Sequence, residues 1–207
     1  MFNRCMKISG MGSGDRWEPI CRKNLGSKLI KDSTDLSASY ITNWDEDNLY
    51  FIFRVVDDIK FDVRAFKYEQ DFRRPCNFDC IELFLDMNND KAENFDAQHK
   101  NCRFEFVYGR DTVTGVFKSN AGVAYKWADT KNGYIIRARI PWKTLEIQPK
   151  ANYRFGCEIC VNDNDNDARD GVFNTFGRKI LAWSQEGVES TAYKDTSVYG
   201  TIELVDR

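Results

Sequence analysis

Glu82 is the one carboxylate in the middle of the alternating run DCIELFLD (79–86), flanked by Ile81 and Leu83, and Arg103 opens the next alternating run, RFEFVY (103–108). Ionised side chains are costly to take out of water unless they are paired. Glu82 therefore either joins a cross-strand ion pair on a solvated sheet face or meets a polar ligand beside a cation such as Arg103. Charged groups of this kind make the stronger, often bidentate hydrogen bonds that hold hydroxyl-rich molecules. A second chemistry lies in two oxygen-rich loops, DMNNDKAENFD (86–96) and DNDNDARD (163–170). Asp86 and Asp90 in the first loop, and Asp163 and Asp165 in the second, are candidate ligands for Ca²⁺, which takes six to eight oxygens. Asp57 and Asp58, after FRVV, qualify on the same logic. Asp163, Asp165 and Asp167 have the opening spacing of an EF-hand, but Ala168 and Asn174 stand where that loop needs Gly and Glu, so the motif is rejected. The alternative for both loops is a solvated turn, since Asp and Asn favour turns without any metal.

Catalysis finds little support. His99 is the one histidine, it lies in the polar loop AQHKN, and no G-x-S-x-G elbow accompanies it. No acidic pair sits in a recognisable hydrolytic setting, and no Gly-rich phosphate loop is present. The expectation is a protein that binds and is not an enzyme.

These residues need strands to position them. Runs at 35–42, 48–57, 79–86, 102–109, 112–117, 122–128, 132–140, 153–162, 178–184 and 198–205 are rich in Phe, Tyr, Ile and Val, several with clear period-2 alternation. Turn signals separate them at 45–48, 108–111, 131–133 and 163–165, with Asn132-Gly133 suited to a hairpin. Pro141 predicts a brief helical segment through Leu145. Many short strands at regular spacing predict an all-β fold, an antiparallel β-sandwich, as one domain over residues 1–207.

Composition bounds the rest. With 42% hydrophobic residues and fifteen Phe the chain can bury a core. Thirty basic and thirty-two acidic side chains are well mixed, giving a net charge of −2, which argues against nucleic acid as a partner. No apolar run approaches the roughly eighteen residues of a membrane span, so no membrane partner is expected. The segment MFNRCMKISGMGSGD also lacks the apolar stretch of a secretory signal; an exported protein would carry its signal elsewhere. Seven cysteines are an odd number. Cys157 and Cys160, three apart on a strand, point to opposite faces, so buried reduced thiols are expected in place of a zinc or redox pair.

Several segments together carry a resemblance. ISGMGSGDRWEP (8–19), WDEDNLYFIFRVVDD (44–58), CIELFLDMNND (80–90), YIIRARIPWKTL (134–145), VNDNDNDARDG (161–171), LAWS (181–184) and VYGTIEL (198–204) follow one another as in the family 9 carbohydrate-binding modules. The resemblance spans nearly the whole chain. It implies a jelly-roll-like sandwich, an oligo- or polysaccharide ligand of plant type, structural Ca²⁺, a parent glycoside hydrolase as partner, and an extracellular or cell-surface location. It assigns sugar hydrogen bonds to Glu82 and Arg103, and stacking to Trp183, for which a core position is the alternative reading. Where the family has a second clamping tryptophan this chain has Cys76, in RRPCNFDC (73–80); Phe78 or Phe72 is a possible substitute. Two other readings stand beside this one. Related sandwiches hold haem through Met with His or Lys, for which Met6, Met11, Met87 and His99 are available. A sandwich that has lost sugar binding and serves protein interaction is the third, with Cys76 in its favour.

Overall fold

A computed structural model describes residues 1–7, 16–21, 29–61, 63, 75–96, 98, 100–115, 119–165, 178–185 and 191–206. The alternating runs do form strands. In one layer, β2 (Glu18–Ile20) and β4 (Asn48–Asp57) flank β3 (Leu36–Trp44), followed outward by β9 (Gly133–Pro141) and the edge strand β8 (Ala124–Thr130). In the other, β7 (Thr114–Gly115), β6 (Asn101–Val107) and β5 (Cys80–Asp86) lead to β10 (Arg154–Asn164). The far side of β10 is shared: β11 (Arg178–Ala182) pairs with Cys160–Asn164, and β12 (Gly200–Val205) pairs with Arg154–Cys157. These pairings are antiparallel. The exception is β1 (Phe2–Lys7), which runs parallel to β12 and also touches β3 in parallel at Met6 and Lys7. It stitches the two layers together.

The core between the layers is aromatic. Phe53 of β4 meets Phe106 of β6 at 6.3 Å between ring centroids, and Phe106 meets Tyr125 of β8 at 5.2 Å. Each such ring, fully buried, contributes on the order of 1.5–3 kcal/mol. The β8–β9 hairpin turns at Lys131 and Asn132, and Gly133 (φ 146°) follows, where a Cβ would stand 2.1 Å from the Val55 carbonyl oxygen. The short helix α1 (Trp142–Leu145) follows Pro141 as predicted, and Glu146 ends it in a left-handed conformation.

One feature of the second layer positions the site. All seven residues of β5 are buried, and so are ten of the eleven in β10. Their inward residues (Ile81, Leu83, Leu85, Cys157, Ile159, Val161) belong to the main core. Their outward residues are covered too, by two smaller apolar clusters. Phe84 and Cys160 pack with Phe95, Ile180, Ala182, Ala192 and Tyr199. At the other end, Cys80 packs with Phe61, Val63, Phe78 and Val107. Glu82 lies on the outward face between them.

Candidate functional site

Register brings Glu82, Glu105 and Asn162 to one face. Glu82 stands opposite Glu105 across β5–β6 and opposite Cys160 across β5–β10, while Asn162 is two residues further along β10. Arg103, two residues before Glu105, reaches back so that one terminal nitrogen donates to Glu82 and to Glu105. Asn162 donates from Nδ2 to the other oxygen of Glu82 at 2.8 Å, and Thr114 donates to Glu105 at 2.6 Å. Arg103 also lies over the Phe84 ring, 5.4 Å from its centroid.

This is not the solvated pair that sequence reasoning set against ligand binding. Glu82 is only 7% exposed and Glu105 4%. Burial works against the charge on Arg103, but Glu82 and Glu105 outweigh it and hold the guanidinium protonated. Burial also raises the pKa of Glu105, against the pull of Arg103 and the Thr114 hydroxyl. Two polar atoms in this network are buried without a partner among the described residues, Arg103 Nε and Asn162 Oδ1. One donor and one acceptor are thus left over, at a cost of about 1–3 kcal/mol each unless something pairs with them. Cys76 sits at the margin, half-buried, its thiol pKa raised by burial and then by the charge of Glu82. Its carbonyl accepts from Arg178 at 3.0 Å.

The structure places the two expected stacking residues elsewhere. Trp183 is 2% exposed and lies in the inter-layer core, edge-on to Tyr40 at 5.6 Å; a Cβ on Gly200 would stand 2.4 Å from its ring. It has no face for a sugar, because Leu181 and Trp183 point inward while Ile180 and Ala182 point outward. Phe78 is fully buried against Phe61, ring centroids 5.6 Å apart. Phe72 lies outside the described residues, as do His99 and Met11 among the haem candidates. Met87 is sealed in the core at 1% exposure.

The metal candidates divide between opposite ends of this layer. Asp163 and Asp165 converge with Asp57 and Asp58, and with two residues the sequence did not single out, Asp35 and Asp79. Oxygens of Asp57, Asp79 and Asp163 lie within 4.8 Å of one another, as do those of Asp35, Asp58 and Asp165. The buried Lys179 donates to Asp35 at 2.5 Å, to Asp163 at 3.3 Å and to Asp165. Asp79 accepts backbone N–H groups from Phe61 and Asn164. Burial, followed by mutual repulsion, pushes the Asp163 carboxyl up to about 8 and that of Asp79 well above its usual range. Burial likewise pushes Asp57 up to about 6. Asp57 Oδ2, Asp163 Oδ1 and Asp165 Oδ1 are buried with no partner among the described residues. Hard carboxylate oxygens at that spacing suit a divalent cation such as Ca²⁺, for which each group would supply three of the six to eight ligands. Asp86, at the other end of β5, accepts the Lys91 N–H at 3.1 Å and leaves Oδ1 unpartnered, as its register partner Asn101 does. Asp90 accepts the Ala92 N–H at 3.3 Å, an ordinary turn contact.

Glu105 was legible in principle, since in RFEFV it shares the face of Arg103. Asn162 was read as the last residue of the strand 153–162, and no local pattern shows that register sets it beside Glu82 across β5–β10.

A sequence model of the family described as carbohydrate family 9 binding domain-like matches residues 17–207. Endo-1,4-beta-xylanase A of Thermotoga neapolitana is 29% identical over 163 residues, covering 78% of this chain and 13% of the xylanase. Endo-1,4-beta-xylanase A of Thermoanaerobacterium saccharolyticum is 30% identical over 183 residues, 86% of this chain and 14% of the xylanase. The chain therefore spans only a small part of these curated relatives. Among solved structures, a family 9 carbohydrate binding module from Caldicellulosiruptor kristjanssonii in complex with cellotriose superposes with a TM-score of 0.74 at 20% identity, over 100% of this chain and 95% of that one. Its complex with glucose gives 0.75 at 19%, covering 100% and 97%. At such identities the likeness is one of fold.

Proposed function

The chain belongs to the carbohydrate family 9 binding domain-like family, and from that premise we propose that it is a non-catalytic module holding an oligo- or polysaccharide on the outward face of β5, β6 and β10. The observation that carries this reading is the Glu82–Arg103–Glu105–Asn162 network with its unpaired buried donor and acceptor. A pair of ring hydroxyls offers the complementary acceptor and donor. Arg103 is held over the flanking Phe84 ring and by two carboxylates, so the polar groups are pre-organised and little is lost in ordering them. Relatives that are xylanases, and fold neighbours solved with cellotriose and glucose, favour β-1,4-linked gluco- or xylo-oligosaccharides. The same relatives favour an extracellular setting beside a glycoside hydrolase.

A divalent cation, Ca²⁺ by its donor set, would be held by Asp57, Asp79 and Asp163. It would supply the positive charge that three adjacent buried carboxylates require and tie the end of β4 to β5 and β10. Lys179 supplies the same charge to the neighbouring aspartates.

Calorimetric titration with cello- and xylo-oligosaccharides, with and without Ca²⁺, tests the reading. Binding that disappears in Glu82→Gln, in a variant that still unfolds cooperatively, is the expected result. Silence of the folded wild-type protein across the panel would overturn sugar binding at this face and leave protein interaction as the alternative.

A further inference from the structure

The opposite face of the molecule carries an unexplained charge pattern. The outward residues of the first layer form a grid fixed by register. On β8 they are Ala124, Lys126 and Ala128; on β9, Arg139, Arg137 and Ile135; on β4, Tyr50, Ile52 and Arg54; on β3, Asn43, Ile41 and Ser39. Four of these twelve are cations and none is acidic, in a chain with more acids than bases. Lys126 stands directly opposite Arg137, an arrangement that destabilises an antiparallel pair. All four cations are exposed. Lys126 and Arg137 make no ion pair among the described residues, and Arg139 makes only a long contact, 3.5 Å, to the Gly122 carbonyl. Arg54 instead lies over the half-exposed indole of Trp17, 4.2 Å from the ring. A lysine on the edge strand β8 has an ordinary use in discouraging edge pairing. The arginines of β9 and β4 have no such edge role, because both strands are interior to the sheet.

We infer that this face is a second binding surface, for a glycan that carries carboxylates on its sugar rings. Cations repeat at roughly 5 Å across strands and roughly 7 Å along them, close to the dimensions of a pyranose ring. Among them Ile52, Ile135 and Tyr50 are half-buried, with Ile41 beyond them on β3, and they offer an apolar floor on which ring C–H groups can lie; the Tyr50 hydroxyl donates to Asp45 at 2.7 Å at one margin. Charge complementarity selects the anionic chain, and the apolar floor selects sugar over a mobile counterion. The surface lies on the other layer from Glu82, so it works independently of the proposed neutral-sugar site.

Gel retardation and titration with polygalacturonate test this, using neutral galactan and a short DNA duplex of matched charge as comparators. The wild-type protein should bind polygalacturonate at low ionic strength, ignore galactan, and lose binding as salt screens the charges. Arg137→Glu with Arg139→Glu should weaken binding about ten-fold or more, whereas Glu82→Gln should leave it unchanged. Because all these positions are exposed, the charge variants should fold as the wild type does, which a melting curve checks. No retardation of the folded wild type, or equal binding by the doubly reversed variant, would overturn the assignment. So would DNA bound as tightly as polygalacturonate, which would mark a general polyanion surface. Failure of neutral oligosaccharides alone bears only on the Glu82 face.

Discussion

Arg103 serves two carboxylates at once, so removing it is not equivalent to removing either partner. Arg103→Ala leaves Glu82 and Glu105 buried side by side without a counter-charge, a change expected to cost about 3 kcal/mol. Glu82→Gln leaves Arg103 with Glu105 and turns one amide N–H₂ towards the Asn162 or Arg103 donor, so it should cost less than the loss of Arg103. Equal falls in melting temperature for the two variants would contradict the bridging role. At Cys76 the expectation runs the other way. Its thiol sits half-buried where the resembling family has an indole, so Cys76→Trp should raise sugar affinity about five-fold, the equivalent of one stacking contact near 1 kcal/mol, in a calorimetric titration. Glu82 and Arg103 were legible because an ionisable group in an apolar alternating strand demands an explanation. Trp183 was misplaced although its signal was present: in KILAW the parity that turns Leu181 inward turns Trp183 inward as well. Counting faces would have favoured the core reading.

At the scale of elements, one buried side chain ties β10 to the segment beyond β11. Glu158 accepts hydrogen bonds from the Ile159, Trp183, Ser184 and Gln185 backbone N–H groups and from the Ser184 hydroxyl. It thereby fixes the chain just after β11. Glu158→Gln halves the accepting capacity and turns an amide N–H₂ towards donors, costing about 2 kcal/mol. The amides of 183–185 should exchange with solvent markedly faster in the variant; unchanged protection would show that the anchor lies elsewhere. Most strands were read correctly because alternation and Phe-rich composition agree. The reading of Cys157 and Cys160 also holds, one thiol facing the main core and the other the outer cluster. The strands β1 and β2 escaped notice. The run FNRCMK mixes Asn and Arg with apolar residues, and its strand state comes from parallel partners far away in sequence, which no local pattern records.

For the whole molecule, the aspartate cluster couples protonation to stability, and the proposed cation would compete for the same oxygens. Asp57 and Asp163 have folded-state pKa values of about 6 and about 8, above the unfolded carboxylate value near 4. A raised carboxyl gives stability that is fully present below the unfolded pKa and lost as pH rises through the folded one. In chelator, the melting temperature should therefore fall between about pH 4 and pH 8. Ca²⁺ should restore it, and by more at pH 8 than at pH 5, since protons compete for the same oxygens. A Ca²⁺ effect that is equal at both pH values, or that survives in Asp57→Asn, would contradict this site. The sequence showed the oxygen-rich loop but not the cluster, because Asp35, Asp57, Asp79, Asp163 and Lys179 arrive from separate parts of the chain. The parallel pair of β1 and β12 has a mechanical consequence. Their register runs from Phe2 opposite Thr201 to Met6 opposite Val205, and Thr201 also donates to the Met1 carbonyl at 2.8 Å. A pull on the two chain ends therefore drags these strands along their length in opposite directions. Their hydrogen bonds are loaded together in shear, and not one by one as in an unzipping hairpin, so the module should resist extension between its ends far better than heat alone would suggest.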